Sequence, residues 1–171
     1  DSIRKMPVTI DLHKKYPTYE KIILAAGRLT REKNFPLAIR AMRRIVKAYP
    51  RALLVIAGSG PEKRAIIRAA RRSDVAANIA LEGSVPLATL VSYYKTADVY
   101  LLTSEYEGYG RTLIEAAAAG CPIVSTDVGA AEEIKGAYIV PVGDRKAIVD
   151  ALVRQLALPR RAPQLPPLPS R

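Results

Sequence analysis

Two hydrophobic periods alternate along the chain. Residues 21–26 (Lys-Ile-Ile-Leu-Ala-Ala), 52–57 (Ala-Leu-Leu-Val-Ile-Ala) and 99–103 (Val-Tyr-Leu-Leu-Thr) are short, nearly unbroken apolar runs. This is the pattern of strands covered on both faces. Shorter runs over 78–82, 122–126 and 138–140 predict three more strands. Between the first two runs, Leu37, Ala38, Met42, Ile45 and Val46 recur at helical spacing, with Arg40, Arg43, Arg44 and Lys47 mostly on the opposite face. Further helices are predicted over 62–72, 86–96, 112–119 and 145–156. Pro61 suits a first helical position and Asp144 the N-cap of the last helix. Residues 131–134 make at most a single helical turn.

Strict alternation of buried strands with helices predicts a parallel sheet with helices on both sides. With right-handed crossovers this becomes a doubly wound α/β domain of Rossmann-like type. The loops at Gly27, Gly58, Gly83, Gly108 and Gly129 each follow a strand. In a parallel sheet all five fall on one edge, where such domains bind ligands. The domain is expected over residues 20–158. Residues 1–19 have two prolines, mixed charge and weak periodicity, and are expected as a linker entering it. Residues 159–171, with five prolines and three arginines, are expected as a disordered tail, a polyproline ligand at 163–166 being the weaker reading.

Composition narrows the class. At 171 residues, 49% apolar and 25% charged, the chain matches one globular domain. Its single cysteine, Cys121, permits no internal disulfide and reads as a packed small hydrophobe. No apolar run reaches the roughly 20 residues that span a bilayer, and the start does not resemble a signal peptide. A cytoplasmic protein is expected. The one histidine, His13, has no neighbouring cysteine or second histidine, so no metal site is expected there. Residues 1–80 carry 18 Lys/Arg against 6 Asp/Glu, a net of +12; the remainder carries a net of −1. Such charge admits nucleic acid, anionic lipid or phosphorylated substrates as partners, or simply a solvated helix face.

The chemistry concentrates in residues 104–120, Ser-Glu-Tyr-Glu-Gly-Tyr-Gly-Arg-Thr-Leu-Ile-Glu-Ala-Ala-Ala-Ala-Gly. Glu107 lies in a glycine-spaced turn after a strand, and Glu115 lies early in the helix that follows. Backbone N–H groups at such a helix start favour anions. Carboxylates accept hydrogen bonds from vicinal hydroxyls, so the stretch suits a phosphorylated sugar.

The same stretch resembles the Glu-x7-Glu signature of retaining nucleotide-sugar glycosyltransferases of the GT-B fold, glycosyltransferase family 4. The matching positions are Ser104, Glu107, Gly108, Tyr109, Gly110, Glu115, Ala116, Gly120, Pro122, Ile123 and Val124. Gly27-Arg28-Leu29 followed by Lys33 is similar to a second motif of that family. The resemblance spans residues 1–157 and implies the donor-binding half of a two-domain enzyme, with an amino-terminal acceptor domain as its missing partner. It implies that Arg28 and Lys33 bind the donor diphosphate and that Glu115 holds the ribose. Glu107 would contact the sugar, and Gly108, Tyr109 and Gly110 would offer backbone N–H groups. Gly27 belongs to the phosphate loop, Ser84 and Val85 match a place where the base is read, and Thr112 and Leu113 line the phosphate and ribose pockets. Arg28, Lys33 and Glu107 are the catalytic candidates. No cofactor is implied beyond the nucleoside-diphosphate sugar. With no Asp-x-Asp pair, two fixed cations would do the work a metal does elsewhere.

Two positions depart from the pattern. Gly129-Ala130 stands where Gly-Gly is frequent, which is tolerable if φ at Ala130 is negative, and Arg111 stands where an aliphatic residue is frequent. Nucleic acid is not expected as a partner, and an anionic membrane surface, at the inner face of the membrane, is a third option through the face of residues 40–47. Two other readings stay open: a GT-B-like nucleotide-sugar epimerase, and a non-catalytic module binding anions or nucleic acid through the basic first half.

Overall fold

The computed structural model describes residues 2–159. Six parallel strands form one sheet in the order β3-β2-β1-β4-β5-β6. They are β1 (Lys21–Ala26), β2 (Ala52–Ala57), β3 (Ile79–Gly83), β4 (Val99–Leu102), β5 (Ile123–Thr126) and β6 (Tyr138–Val140). Among the described residues seven α-helices accompany them: α1 (Ser2–Lys5), α2 (Leu12–Lys15), α3 (Phe35–Ala48), α4 (Lys63–Arg72), α5 (Leu87–Thr96), α6 (Arg111–Ala118) and α7 (Arg145–Ala157). The doubly wound, Rossmann-like architecture expected from the apolar runs is present, with the predicted elements differing only at their ends. The expected turn near residue 131 is a single 3-10 turn, Ala131–Glu133. The tail expected over 159–171 lies, Pro159 apart, outside the described residues.

Alternation along β1 divides the core in two. Ile23 and Ala25 pack on one side with α3, α4 and α7. Ile22, Leu24 and Ala26 pack on the other with Leu12, α5 and α6. Every residue of β2 and β4 is buried. Cys121 is fully buried in the second layer.

The strand order reverses between β1 and β4, which pair with each other at Ile23↔Val99 and Leu24↔Tyr100. The loops leaving these two strands diverge there and open a crevice at the carboxyl edge. Those loops carry Arg28, Lys33 and Glu107.

Residues 2–19 lie against α5 and α6. Leu12 is fully buried, its N–H donates to Thr96 Oγ1 (3.1 Å), and the Thr9 N–H donates to Ser92 Oγ (2.9 Å). Asp11 caps α2 by accepting from the His13 N–H, and His13 Nε2 sits 3.1 Å from Asp98 Oδ2. Beyond α2, Glu82 accepts hydrogen bonds from Lys15 Nζ (2.8 Å), Tyr16 Oη and Tyr93 Oη (3.1 Å). Burial alone would raise the Glu82 carboxyl, but these three donors outweigh it and hold it below its ordinary value. The Tyr16 hydroxyl is pushed up to about 12, by burial first and the carboxylate second.

A pH dependence follows. A depressed carboxyl stabilises the fold above its unfolded value near 4.5, and that stability is lost as pH falls through the folded value. The raised Lys15 ammonium stabilises below its ordinary 10.5 and fails only in strong alkali. Glu82→Gln is expected to lower stability by about 1–2 kcal/mol at neutral pH and to flatten the acid limb. Thermal melts from neutral to acidic pH would show this. An unchanged acid limb would mean that Glu82 does not fasten this segment.

Candidate functional site

Gly27 ends β1, and its N–H donates to the Ala57 carbonyl (3.0 Å). The loop then makes a 3-10 turn, Arg31–Lys33, and enters α3 through Asn34 in the left-handed region (φ 50°). Asparagine tolerates that conformation better than most residues. Thr103, just past β4, fixes this corner: its hydroxyl reaches the carbonyls of Asn34 (2.9 Å) and Lys33 (3.2 Å). Nearby, the Glu105 N–H donates to the Glu32 carbonyl (2.8 Å). Two loops far apart in sequence are thus joined by the Thr103 hydroxyl and one backbone bond.

The stitching brings Lys33 to Glu107. Nζ lies 2.5 Å from Oε1, with the side chains 19% and 8% exposed. The same Oε1 accepts from Ser104 Oγ (2.7 Å). Ser104 is fully buried, and its own carbonyl accepts from Thr126 Oγ1 (2.7 Å) at the end of β5. Glu107 Oε2 has no hydrogen-bond partner among the described residues, so it can accept from a ligand hydroxyl. The Lys33 side chain passes over Gly27, where a Cβ would stand 3.6 Å from Lys33 Cε.

Beside this pair lies a crevice of about 300 Å³. Gly27, Arg28, Ser59, Ser84, Val85 and Thr112 line it, with Leu90 at one side. Arg28 is exposed, and its side chain makes no hydrogen bond or ion pair among the described residues. Ser59 and Ser84 bond to each other through their hydroxyls (2.8 Å).

The third wall is α6, whose N-cap Gly110 has φ 85°. That conformation is open to glycine and strained for other residues. Thr112 and Glu115 are three apart on this helix and so share a face. Behind them stand two buried tyrosines. Tyr94 Oη donates to Glu115 Oε2 (3.1 Å), and Tyr100 Oη meets Thr112 Oγ1 (2.7 Å) and the Ala26 carbonyl (3.2 Å). Their rings meet edge to face, 5.4 Å between centroids. Burial raises both hydroxyls well above their ordinary values, so both stay protonated and Tyr94 remains a donor to Glu115.

Five of the residues singled out from the sequence therefore line one crevice: Gly27, Arg28, Ser84, Val85 and Thr112. Lys33 and Glu107 close on each other at its flank, and Glu115 follows Thr112 along α6. Gly108 and Tyr109 are exposed in the turn between them. Leu113 differs from the rest: its side chain is fully buried in the core, which leaves a ligand only its backbone N–H. Ala130 has φ −87°, so the methyl group that replaces the frequent second glycine meets no backbone strain.

Nothing in the sequence alone assigns a role to Ser59, Tyr94, Tyr100 or Thr103. Ser59 sits in the Gly58 loop, one of the five placed on this edge, so its position was available. Nothing in a helical pattern distinguishes Tyr94 from an ordinary core residue.

Comparison with known proteins agrees with this fold. The profile of the family described as Glycosyl transferases group 1 matches residues 10–165. An uncharacterized glycosyltransferase of Methanocaldococcus jannaschii is 38% identical over 127 residues, covering 71% of this chain and 32% of the relative. The chain thus spans about a third of that relative's length. Among solved structures, the C-terminal domain of a glycosyl transferase group 1 family protein from Francisella tularensis superposes with a TM-score of 0.78 at 20% identity, covering 91% of this chain and 87% of that one. The pneumococcal O-GlcNAc transferase GtfA, in complex with UDP and GlcNAc, superposes with a TM-score of 0.67 at 27% identity, covering 79% of this chain and 28% of that one.

Proposed function

The chain belongs to the group 1 glycosyl transferases, and on that premise we propose that it is the donor-binding half of a retaining, family 4-type enzyme using a nucleoside-diphosphate sugar. One observation carries the reading. Two cations and two carboxylates from distant parts of the sequence gather around the crevice at the β1/β4 switch point. The UDP bound to the similar GtfA structure supports a nucleotide as ligand. The family match does not favour an epimerase or a non-catalytic anion-binding module.

In this reading Arg28 and Lys33 hold the diphosphate. Glu115, oriented by Tyr94, accepts hydrogen bonds from the ribose hydroxyls. Val85 and Ser84 meet the base. Glu107 Oε2 takes a hydroxyl of the sugar, while the backbone N–H groups of Gly108, Tyr109 and Gly110 face sugar or phosphate. Before the donor arrives, Lys33 and Glu107 compensate each other, so neither half-buried charge stands alone. As the glycosidic bond breaks, negative charge grows on the departing diphosphate, and two fixed cations stabilise it without solvent rearrangement. The reaction needs no resident metal or cofactor. The sugar passes, with retention of its anomeric configuration, to an acceptor hydroxyl held by an amino-terminal domain. The enzyme is cytoplasmic and touches the inner face of the membrane peripherally.

Calorimetric titration of this chain with UDP-, GDP- and ADP-sugars tests the site. One of the three is expected to bind, weakly in the absence of the acceptor domain and without turnover. Glu115→Ala and Arg28→Ala are each expected to lower that affinity about 10- to 100-fold, since each removes hydrogen bonds to a charged group. Equal affinity in all three proteins would remove these residues from the site.

A further inference from the structure

The layer made by α3, α4 and α7 holds a second charged region, remote in its chemistry from the crevice. Helices α3 and α4 together carry nine Lys/Arg and no Asp/Glu. Their cations are exposed, while the opposite faces of both helices are buried against the sheet. The charges converge on two concavities. Arg40, Arg68 and Arg72 line one of about 310 Å³ between α3 and α4. Arg40, Arg43, Arg44 and Lys47 line another of about 210 Å³, joined by Arg145 from the start of α7. Arg40 belongs to both, so the field is continuous across three helices. Among the described residues, none of these cations forms an ion pair or a hydrogen bond.

This is not the pattern of a merely solvated helix. Exposed helices normally interleave opposite charges at i, i+3 and i+4, and like charges at those spacings destabilise. Here Arg40, Arg43, Arg44 and Lys47 stand at such spacings with no acid on α3 or α4 to relieve them. Guanidinium groups crowded around a polar hollow present forked donors suited to phosphate oxygens. An external polyanion would relieve the repulsion.

We propose that the α3–α4–α7 face docks onto a bilayer containing anionic phospholipid, which gives the peripheral contact of the proposed function its surface. The field is broad rather than a single stripe, which suits a plane of headgroups. Among the described residues no large exposed apolar side chain lies within α3, α4 or α7, although Val142 and Leu158 flank α7, so contact is mainly electrostatic and reversible. Single-stranded nucleic acid needs aromatic platforms among its cations, whereas the exposed Tyr106 and Tyr109 belong to the β4–α6 loop at the crevice edge.

Vesicle sedimentation tests this. The chain is expected to sediment with phosphatidylcholine vesicles that contain phosphatidylglycerol, not with phosphatidylcholine alone, and to be released as salt is raised. Combining Arg40→Glu, Arg44→Glu, Arg68→Glu and Arg72→Glu is expected to weaken partitioning at least about 100-fold. Lys14→Glu, an exposed cation outside the field, is expected to have little effect. The quadruple variant is expected to keep the donor affinity of the unaltered chain, which separates lost docking from lost folding or a failed donor site. Equal sedimentation of the quadruple variant would overturn the proposal. So would equal binding to uncharged vesicles, or capture of RNA or triphosphate by a chain that ignores anionic vesicles.

Discussion

Lys33→Ala in the intact enzyme is expected to lower kcat by about 100- to 1,000-fold, the usual loss when one fixed donor to a developing anion is removed. The effect should fall mainly on kcat, because in the proposed reaction negative charge on the diphosphate grows as the bond breaks. The structure adds a second reason for a large effect. The Glu107 carboxylate, only 8% exposed, would lose the ammonium group now 2.5 Å away and keep only the Ser104 hydroxyl on that oxygen. A buried charge without its counter-charge destabilises the loop that carries it. Lys33→Arg keeps the charge but replaces a compact ammonium with a wide planar fork beside Gly27, and is expected to recover only part of the rate. Steady-state kinetics of the three proteins decide the matter. Near-normal kcat in the alanine variant would remove Lys33 from the chemistry.

Gly58→Ala is expected to be the most damaging small substitution in the chain. A Cβ there would stand 1.8 Å from the Gly27 carbonyl oxygen, at φ +149°. No side chain can rotate to relieve it, because both partners are backbone. Those partners are also tied in place: the Gly58 N–H donates to the Gly83 carbonyl (2.7 Å) and the Gly27 N–H to the Ala57 carbonyl (3.0 Å). Steric and dihedral strain together predict a loss of about 3–5 kcal/mol. Gly83→Ala is the control. It has positive φ (+71°) but nothing within 4 Å of the added methyl, so a loss of about 1–2 kcal/mol is expected. Denaturant melts of both variants distinguish close approach from φ alone. Similar losses in the two would mean that the Gly27–Gly58 contact is not what the glycine serves.

The fold was legible because its signals are local. Apolar runs of strand length alternate with amphipathic helices, and parallel connection follows from that alternation. The edge carrying the candidate site was legible for the same reason, since the loops at Gly27, Gly58, Gly83, Gly108 and Gly129 each follow a strand. What the sequence hid was contact across the sheet. Nothing local connects Thr103 to the carbonyls of Lys33 and Asn34, or Tyr94 to Glu115, though these bonds position the candidate side chains. Leu113 was misleading for the opposite reason. Its place in the motif suggested a lining residue, while the turn of α6 sends its side chain into the core. Residues 2–19 lack periodicity, yet Leu12 is fully buried, because the surface that covers it belongs to α5 and to the strands beneath. Glu82 and its three donors came together in the same way, from four separate positions.

The most direct measurement is a crystal structure of this chain soaked with the nucleotide sugar that calorimetry selects. The diphosphate is expected within hydrogen-bonding distance of Arg28 and Lys33, the ribose on Glu115 and the sugar on Glu107. A well-ordered nucleotide bound elsewhere, with those four side chains untouched, would contradict the account.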